Sequence, residues 1–337
     1  MIKLVFFLLL SVFTAVCSFG QTVSNVDAYQ EGKNIIITYD TDKDGSVGDV
    51  YCSTDGGRTW SNPLRQVTGD VNKQVPAGSH RIVWDVLAER EKLAGANICF
   101  KVEVNSGKFT VNGVSFEMVR VEGGTFRMGA TSEQEEDAYD SEKPVHSVTL
   151  NSYYIGKTEV TQALWQAVMG SNPSYFKAYF KGADLPVDCV SWNDCQKFIQ
   201  KLNRLTGRNF RLPTEAEWEF ACRGGNNSRG YKYSGSNNLG SVAWYDENSG
   251  VSTHPVATKA PNELGIYDMS GNVMEWCSDW YADYTSYSQT NPTGSLSGSG
   301  RVIRGGGWRG FAGCRSSNRG YDYPTSRDYD LGLRLAL

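Results

Sequence analysis

"SWNDCQKFIQKLNRLTGRNFRLPTEAEWEFACRGG", residues 191–225, carries the clearest helical signal in the chain and marks where that signal ends. Cys195, Phe198, Ile199, Leu202 and Leu205 recur at helical spacing, so they share one face, with Ser191 placed to cap the start and Gly207 to stop the end. A second helix opens at Thr214, where Thr214 and Glu217 form the Ser/Thr-x-x-Glu capping box. "TQALWQAVMG", 161–170, is a further helical segment upstream. Beyond Gly224 helical periodicity vanishes, and about 110 positions follow that are rich in Gly, Ser, Asn, Trp and Tyr, more irregular chain than hydrogen-bonded elements alone can hold. Aromatic packing, disulfides or bound ions must contribute to such a domain.

The other end of the chain has a different character. Residues 22–108 read as short strands, "KNIIITYD", "VGDVYCS", "HRIVWDV" and "ANICFKVEV", with Asp-Gly turn chemistry between them, which predicts an all-β sandwich similar to immunoglobulin-like or fibronectin-like modules. Asp40, Asp42, Asp44 and Gly45 imitate the start of a calcium loop. Tyr51 stands where the closing bidentate Glu should be, so the stretch is expected to be a hairpin turn with exposed acids. The polar stretch "NSGKFTVNG", 105–113, separates the two parts.

The chain has 337 residues, a net charge of -4 and no block of like basic residues, which argues against a nucleic-acid partner. "MIKLVFFLLLSVFTAVCSFGQ" has Lys3, an apolar run and small residues at Ser18 and Gly20, the pattern of a secretory signal over 1–20. Export to the periplasm, cell surface or medium is therefore expected. A lipid anchor on Cys17 is the competing reading, and Val16 disfavours it where a small residue is wanted. No other apolar run reaches the roughly 18 residues of a membrane span.

Seven blocks further along the chain carry a resemblance: "VEGGTFRMG", "KPVHSVTLNSYYIGKTEVTQALWQAVMG", "LPVDCVSWNDCQKFI", "RLPTEAEWEFACRGG", "NELGIYDMSGNVMEWCSDWY", "RVIRGGGW" and "LGLRLAL". In this order they resemble the formylglycine-generating enzyme family, also called the sulfatase-modifying factor family. The resemblance implies a compact α+β, C-type-lectin-like domain with little regular secondary structure over 109–337. The fold class expected for the whole chain is thus an all-β sandwich at 21–108 followed by that domain.

What the resemblance implies chemically has to be carried residue by residue, since fold does not transmit function. The family's oxidases turn a sulfatase cysteine into formylglycine with two copper(I)-binding cysteines placed after an Arg-Gly-Gly-Ser motif, and thiolates suit that soft ion. Here the motif reads Arg304, Gly305, Gly306, Gly307, the first cysteine position falls at or near Gly310, and Cys314 is the only thiol on the loop. In one alignment Cys314 is the second copper ligand. In the preferred one it matches a structural cysteine whose implied disulfide partner is Cys222, and copper is then not expected. Pairing among Cys52, Cys99, Cys189, Cys195 and Cys277 is left open by the sequence. The family's calcium block implies Asp268, the carbonyls of Gly271 and Val273, and Glu275 as hard oxygen ligands. His80, His146 and His254 show no metal spacing.

Noncatalytic members of the family include cell-envelope components and display proteins whose variable positions fill the C-terminal segment. In this chain that segment offers Trp308, Arg309, Phe311, Tyr321, Tyr323 and Tyr329, aromatic and charged groups of the kind that make binding loops. The leading expectation is an exported member of the family that binds a protein or glycan partner through its C-terminal loops. The alternatives are a formylglycine-generating oxidase and a structural envelope component.

Overall fold

The computed structural model describes residues 23–337 except 43–44, 72, 91–92, 96, 105–106, 135–136, 177–183 and 311; the expected signal, Cys17 and Phe311 lie outside the described residues. The chain divides into two compact units, Met1–Ser106 and Gly107–Leu337.

In the first unit the strands are β1 (Val23–Glu31), β2 (Asn34–Thr41), β3 (Gly45–Ser53), β4 (Val67–Gly69), β5 (Lys73–Val75), β6 (Gly78–Trp84) and β7 (Cys99–Val104), with one helical turn, α1 (Val86–Glu89), after β6. They form two antiparallel sheets, ordered β1-β2-β6-β4 and β5-β3-β7. Alternation along β6 turns His80, Ile82 and Trp84 inward, the period-2 pattern that lets one sheet face bury itself. Ile35, Ile37, Ile82 and Trp84 from the first sheet meet Val47, Val50, Phe100 and Val102 from the second in one apolar core.

One expectation is corrected here, and one pairing the sequence left open is answered. The Asp-Gly stretch after Asp40 is no hairpin: β2 and β3 belong to different sheets, so the chain crosses between them. Asp40 is tied down by Asn25 Nδ2 at 2.7 Å and Ser79 Oγ at 2.6 Å. Cys52 and Cys99 do not face one another either. In the β3–β7 ladder Cys52 opposes Phe100 and Ser53 opposes Cys99, and this one-residue offset sends the two thiols to opposite faces.

The second unit contains β8 (Lys108–Val111), β9 (Val114–Val121), β10 (Gly124–Met128), β11 (His146–Leu150), β12 (Tyr153–Gly156), α2 (Gln162–Met169), α3 (Trp192–Thr206), α4 (Glu215–Cys222), α5 (Leu239–Val242), β13 (Met274–Trp280), β14 (Gln289–Thr290), β15 (Arg301–Arg304), β16 (Arg319–Asp322) and β17 (Leu331–Leu333). Its small sheets run β12-β9-β8, β10-β11-β14 and β16-β15-β13-β17. The capping readings hold: Ser191 accepts from Asp194 N, Gly207 closes α3 in the left-handed conformation, and Thr214 with Glu217 makes the reciprocal box. Cys195, Phe198, Ile199 and Leu202 are buried, but Leu205 in the last turn is exposed.

Helix α4 differs from an ordinary surface helix in being buried on every side, its three glutamates included. Those glutamates need cationic partners, since an unpaired buried carboxylate is costly. Glu215 is held by Arg319 at 2.7 Å, Glu217 by Arg211 at 2.6 Å, and Glu219 by Arg223 at 2.9 Å and by Arg304. Two more buried pairs, Arg315–Glu142 and Arg334–Glu275, complete a core in which guanidinium groups sit among Trp218, Phe220 and Trp276.

Candidate functional site

The strand β15 delivers the chain into the loop that carries the expected binding residues. Gly305 and Gly306 have φ of +94° and +66°, and a Cβ on Gly306 would stand 2.5 Å from the main chain of Gly313, so only glycine lets the loop fold back this closely. At Gly307, where the resemblance has a serine, a Cβ would lie 2.8 Å from Asp330 Oδ2. The space is taken by a carboxylate that grips the next part of the loop. Asp330 accepts from Arg309 Nε at 2.9 Å and Nη2 at 2.7 Å, a side-on bidentate pair, and Asp328 adds a third contact at 2.8 Å. The same guanidinium lies 4.2 Å from the centre of the Tyr329 ring.

Trp308 is buried at 5% exposure and anchored through Nε1 to Tyr329 O at 3.1 Å. Its ring is one of four in a closed cycle. Tyr175 meets Phe176 with centroids 5.0 Å apart, Phe176 meets Trp308 at 5.5 Å, Trp308 meets Tyr329 at 6.0 Å, and Tyr329 returns to Tyr175 at 5.6 Å. Phe176 and Trp308 form the buried half, whereas Tyr175 and Tyr329 are exposed.

Behind this box lies Asp188, with no exposed surface. Its Oδ1 accepts from Tyr175 N at 2.7 Å, and its Oδ2 is buried without a hydrogen-bond partner. Burial pushes the Asp188 carboxyl up to about 6. Burial, and then the Asp188 carboxylate beside it, raises the Cys189 thiol to about 12, so this half-buried cysteine is a poor nucleophile at neutral pH.

Of the six residues expected to bind, the structure brings Trp308, Arg309 and Tyr329 together. Tyr321 sits apart on β16, tilted against Tyr281 with ring centroids 4.6 Å apart, and Tyr323 is exposed just beyond it. Sequence reasoning missed Tyr175, Phe176 and Asp188, more than a hundred positions upstream of Trp308. The adjacent aromatic pair in "SNPSYF" and the acid in "LPVDCV" were the available signals.

The cysteine expectations meet a mixed outcome. All seven described cysteines are thiols, so the implied Cys222–Cys314 bridge is not formed in this structure. Each thiol has a local acceptor instead: Cys314 Sγ donates to Gly310 O at 3.3 Å and Cys222 Sγ to Met269 O at 3.8 Å. The two belong to one layer, because Ser270 Oγ donates to Cys314 O, Ser234 N to Ser270 Oγ, and Ser234 Oγ to Cys222 O. Burial pushes Cys314 up to about 12, with Asp246 and Cys222 adding to it. A buried, protonated thiol opposite a glycine does not provide the two-thiolate donor set that copper(I) requires.

For calcium the donors fit in part. Asp268 is buried in a left-handed turn, Oδ2 accepts from Ala257 N at 2.7 Å, and Oδ1 is buried with no partner, which leaves an oxygen for a cation. Gly271 and Val273 follow on the same turn. Glu275 is already engaged, by Arg334 at 2.7 Å and by Trp218 Nε1 at 2.7 Å, so it could serve a cation only while shared with Arg334.

Comparison with known proteins agrees with this architecture. The sulfatase-modifying factor enzyme 1-like domain matches residues 106–337. The chain is 35% identical to the chaperone protein LppX of Paenibacillus barcinonensis, with 67% of this chain and 88% of that one covered. It is 31% identical to the formylglycine-generating enzyme of Streptomyces coelicolor, covering 65% and 88%. Among solved structures, the Treponema denticola variable protein 1 superposes with a TM-score of 0.62 at 37% identity, covering 68% of this chain and 97% of that one.

Proposed function

The chain belongs to the sulfatase-modifying factor family, that of the formylglycine-generating enzymes, and from this premise we propose that it is an exported binding protein whose C-terminal rim holds a protein or glycan partner. The observation that carries the reading is the state of the loop after Gly307. Where the family's oxidases place copper-binding cysteines, this chain has Gly310, a buried Cys314 and a tryptophan anchored beneath two exposed tyrosines. A rigid inner half under an exposed aromatic half is the arrangement of a paratope, giving contact area at low entropic cost. The likeness to the Treponema variable protein and to LppX supports a role without oxidation.

The first unit is read as an immunoglobulin-like or fibronectin-like sandwich that spaces or docks the binding domain. Calcium is proposed at Asp268 Oδ1 with the carbonyls of Gly271 and Val273 and a shared Glu275. It would neutralise an acid cluster and stiffen the turn that supports β13, whose neighbour β15 feeds the rim. In an oxidising compartment Cys222 and Cys314 are proposed to close into a disulfide.

The test is capture of surface proteins and glycans of neighbouring cells by the exported chain, compared with a Tyr321→Ala, Tyr323→Ala, Tyr329→Ala triple variant. With unchanged folding of the variant checked by its melting curve, a specific ligand is expected whose retention falls at least about tenfold in the variant. Equal retention by both chains would contradict it.

A further inference from the structure

The rim proposed as a binding surface also indicates what chemistry it accepts. Four aromatic rings pack in a cycle with Tyr175 and Tyr329 exposed at the surface, and a ring quadrupole attracts a cation within about 6 Å of its centroid. The charges around the box point the same way. Among the described residues, Asp328 and Asp330 hold the Arg309 guanidinium between them. Arg327, next to Asp328 in the chain, is committed to Asp194 at 2.6 Å. Two carboxylates at the edge of the box disfavour an anionic ligand and favour a positive one.

Arg309 itself shows how a cation is held here. Its guanidinium lies over Tyr329 at 4.2 Å, 5.6 Å from the Trp308 ring, and between two carboxylates. About a third of the side chain stays exposed. The loop has room for this clamp because residue 307 is glycine: any larger residue would collide with Asp330.

We propose that the box of Tyr175, Phe176, Trp308 and Tyr329, with Asp328 at its edge, is a subsite for an organic cation, an alkylammonium or guanidinium group, and that Arg309 occupies part of it until a ligand arrives. The inference rests on the reading of the rim as a binding surface and adds the chemical class of the group bound. A ligand cation would take the exposed face of Tyr329 and the Asp328 carboxylate, and Arg309 would keep its bidentate hold on Asp330.

The experiment is calorimetric titration of the full chain with tetramethylammonium chloride, methylguanidinium chloride and an acetylated arginine-containing peptide, against sodium chloride at equal ionic strength and against acetate. Saturable binding of the organic cations and none of acetate is expected. Tyr329→Ala, at an exposed position, and Asp328→Asn, at a half-buried one, should weaken it about tenfold, and Arg309→Ala should strengthen it. A peptide bound at least tenfold more tightly than methylguanidinium identifies a polypeptide side chain as the source of the cation; equal affinity identifies a free small amine. No saturable binding by the wild type or by Arg309→Ala, or binding indifferent to Tyr329→Ala and Asp328→Asn, overturns the inference. If a rim-dependent partner is captured while no cation binds, only the cation subsite fails. If cations bind while capture is rim-independent, it is the reading of the rim that fails.

Discussion

The two units solve the same problem with different cores. In the first, two sheets bury Ile35, Ile37, Val47, Ile82, Trp84 and Phe100, and the ion pairs stay outside, as with Lys33–Asp85 and Arg81–Glu31. In the second, Arg304, Arg315 and Arg334 are wholly or almost wholly buried. Several of the buried arginines do two jobs. They pair with a glutamate and donate to main-chain carbonyls: Arg334 to Gly156 O and Tyr267 O, both at 2.8 Å, Arg319 to Ala282 O at 2.9 Å, and Arg223 to Gly129 O at 2.7 Å. Buried carbonyls have to be paired somewhere. With five donors in a rigid fork, guanidinium groups replace sheet hydrogen bonds where the sequence is too rich in Gly and Asn to form strands.

The contrast is broken most severely by removing one partner of a buried pair. Arg334→Met should cost the second unit about 3–5 kcal/mol, because the buried Glu275 then loses its cationic partner and keeps only the Trp218 Nε1 bond. The first unit should melt unchanged in the same sample. Ile37→Ala should reverse this, costing the first unit about 2–5 kcal/mol through a cavity. Calorimetry resolving two transitions checks both, and a single transition moved by either variant would refute independent cores.

Next in size is oxidation. Closing Cys222 to Cys314 should stabilise the second unit on the order of 4 kcal/mol in the chain-entropy model, since the bridge would span most of the irregular region. Peptide mapping without reduction, followed by melts with and without reductant, measures it. Reductant-insensitive melting of a bridged sample would deny the effect.

A smaller effect is the response to pH. Burial, then the Glu215 charge, raises Asp279 from 3.8 to about 7, so the folded unit keeps a proton that the unfolded chain releases. That contribution is full below about pH 4 and is lost as pH rises through 7. Glu215 runs the other way. Burial alone would raise it, but Arg319 and Arg304 outweigh burial and hold it below its usual value, so its contribution is lost as pH falls through that lowered value. The second unit should therefore be most stable in mildly acid solution. Asp279→Asn, which keeps an acceptor for Glu215 N, should flatten the decline in melting temperature between about pH 4 and 7. An unchanged slope would assign the decline to other groups.

The smallest expected effect is that of calcium. Millimolar calcium should raise the melting temperature of the second unit by a few degrees, on the scale of ligand-linked stabilisation, and Asp268→Asn should abolish the rise. No rise in the wild type would leave Arg334 as the only cation of that cluster.

What was legible beforehand follows the same division. Caps, periodicities and turn residues act over a few positions, so the boundaries of α3 and α4 were read correctly from Ser191, Gly207, Thr214 and Glu217. Strand pairing is not local, and the Asp-Gly stretch after Asp40 gave no sign that β3 joins the other sheet. A one-residue offset likewise decided that Cys52 and Cys99 face apart. The ion pairs were out of reach, because Arg319 lies 104 residues from Glu215 and Arg315 lies 173 from Glu142. The box was half legible, as Trp308, Arg309 and Tyr329 stood out by type while Tyr175, Phe176 and Asp188 come from a distant loop.

The most direct test of the central claim, a retained scaffold without the family's oxidation, is incubation with copper(I), oxygen and a peptide carrying Cys-x-Pro-x-Arg. The formylglycine-generating enzyme of Streptomyces coelicolor would serve as the positive control, with mass spectrometry of the peptide cysteine as the readout. The account predicts an unmodified peptide wherever the control converts it. Conversion to formylglycine that is lost in Cys314→Ser would contradict the account and make the loop an active site.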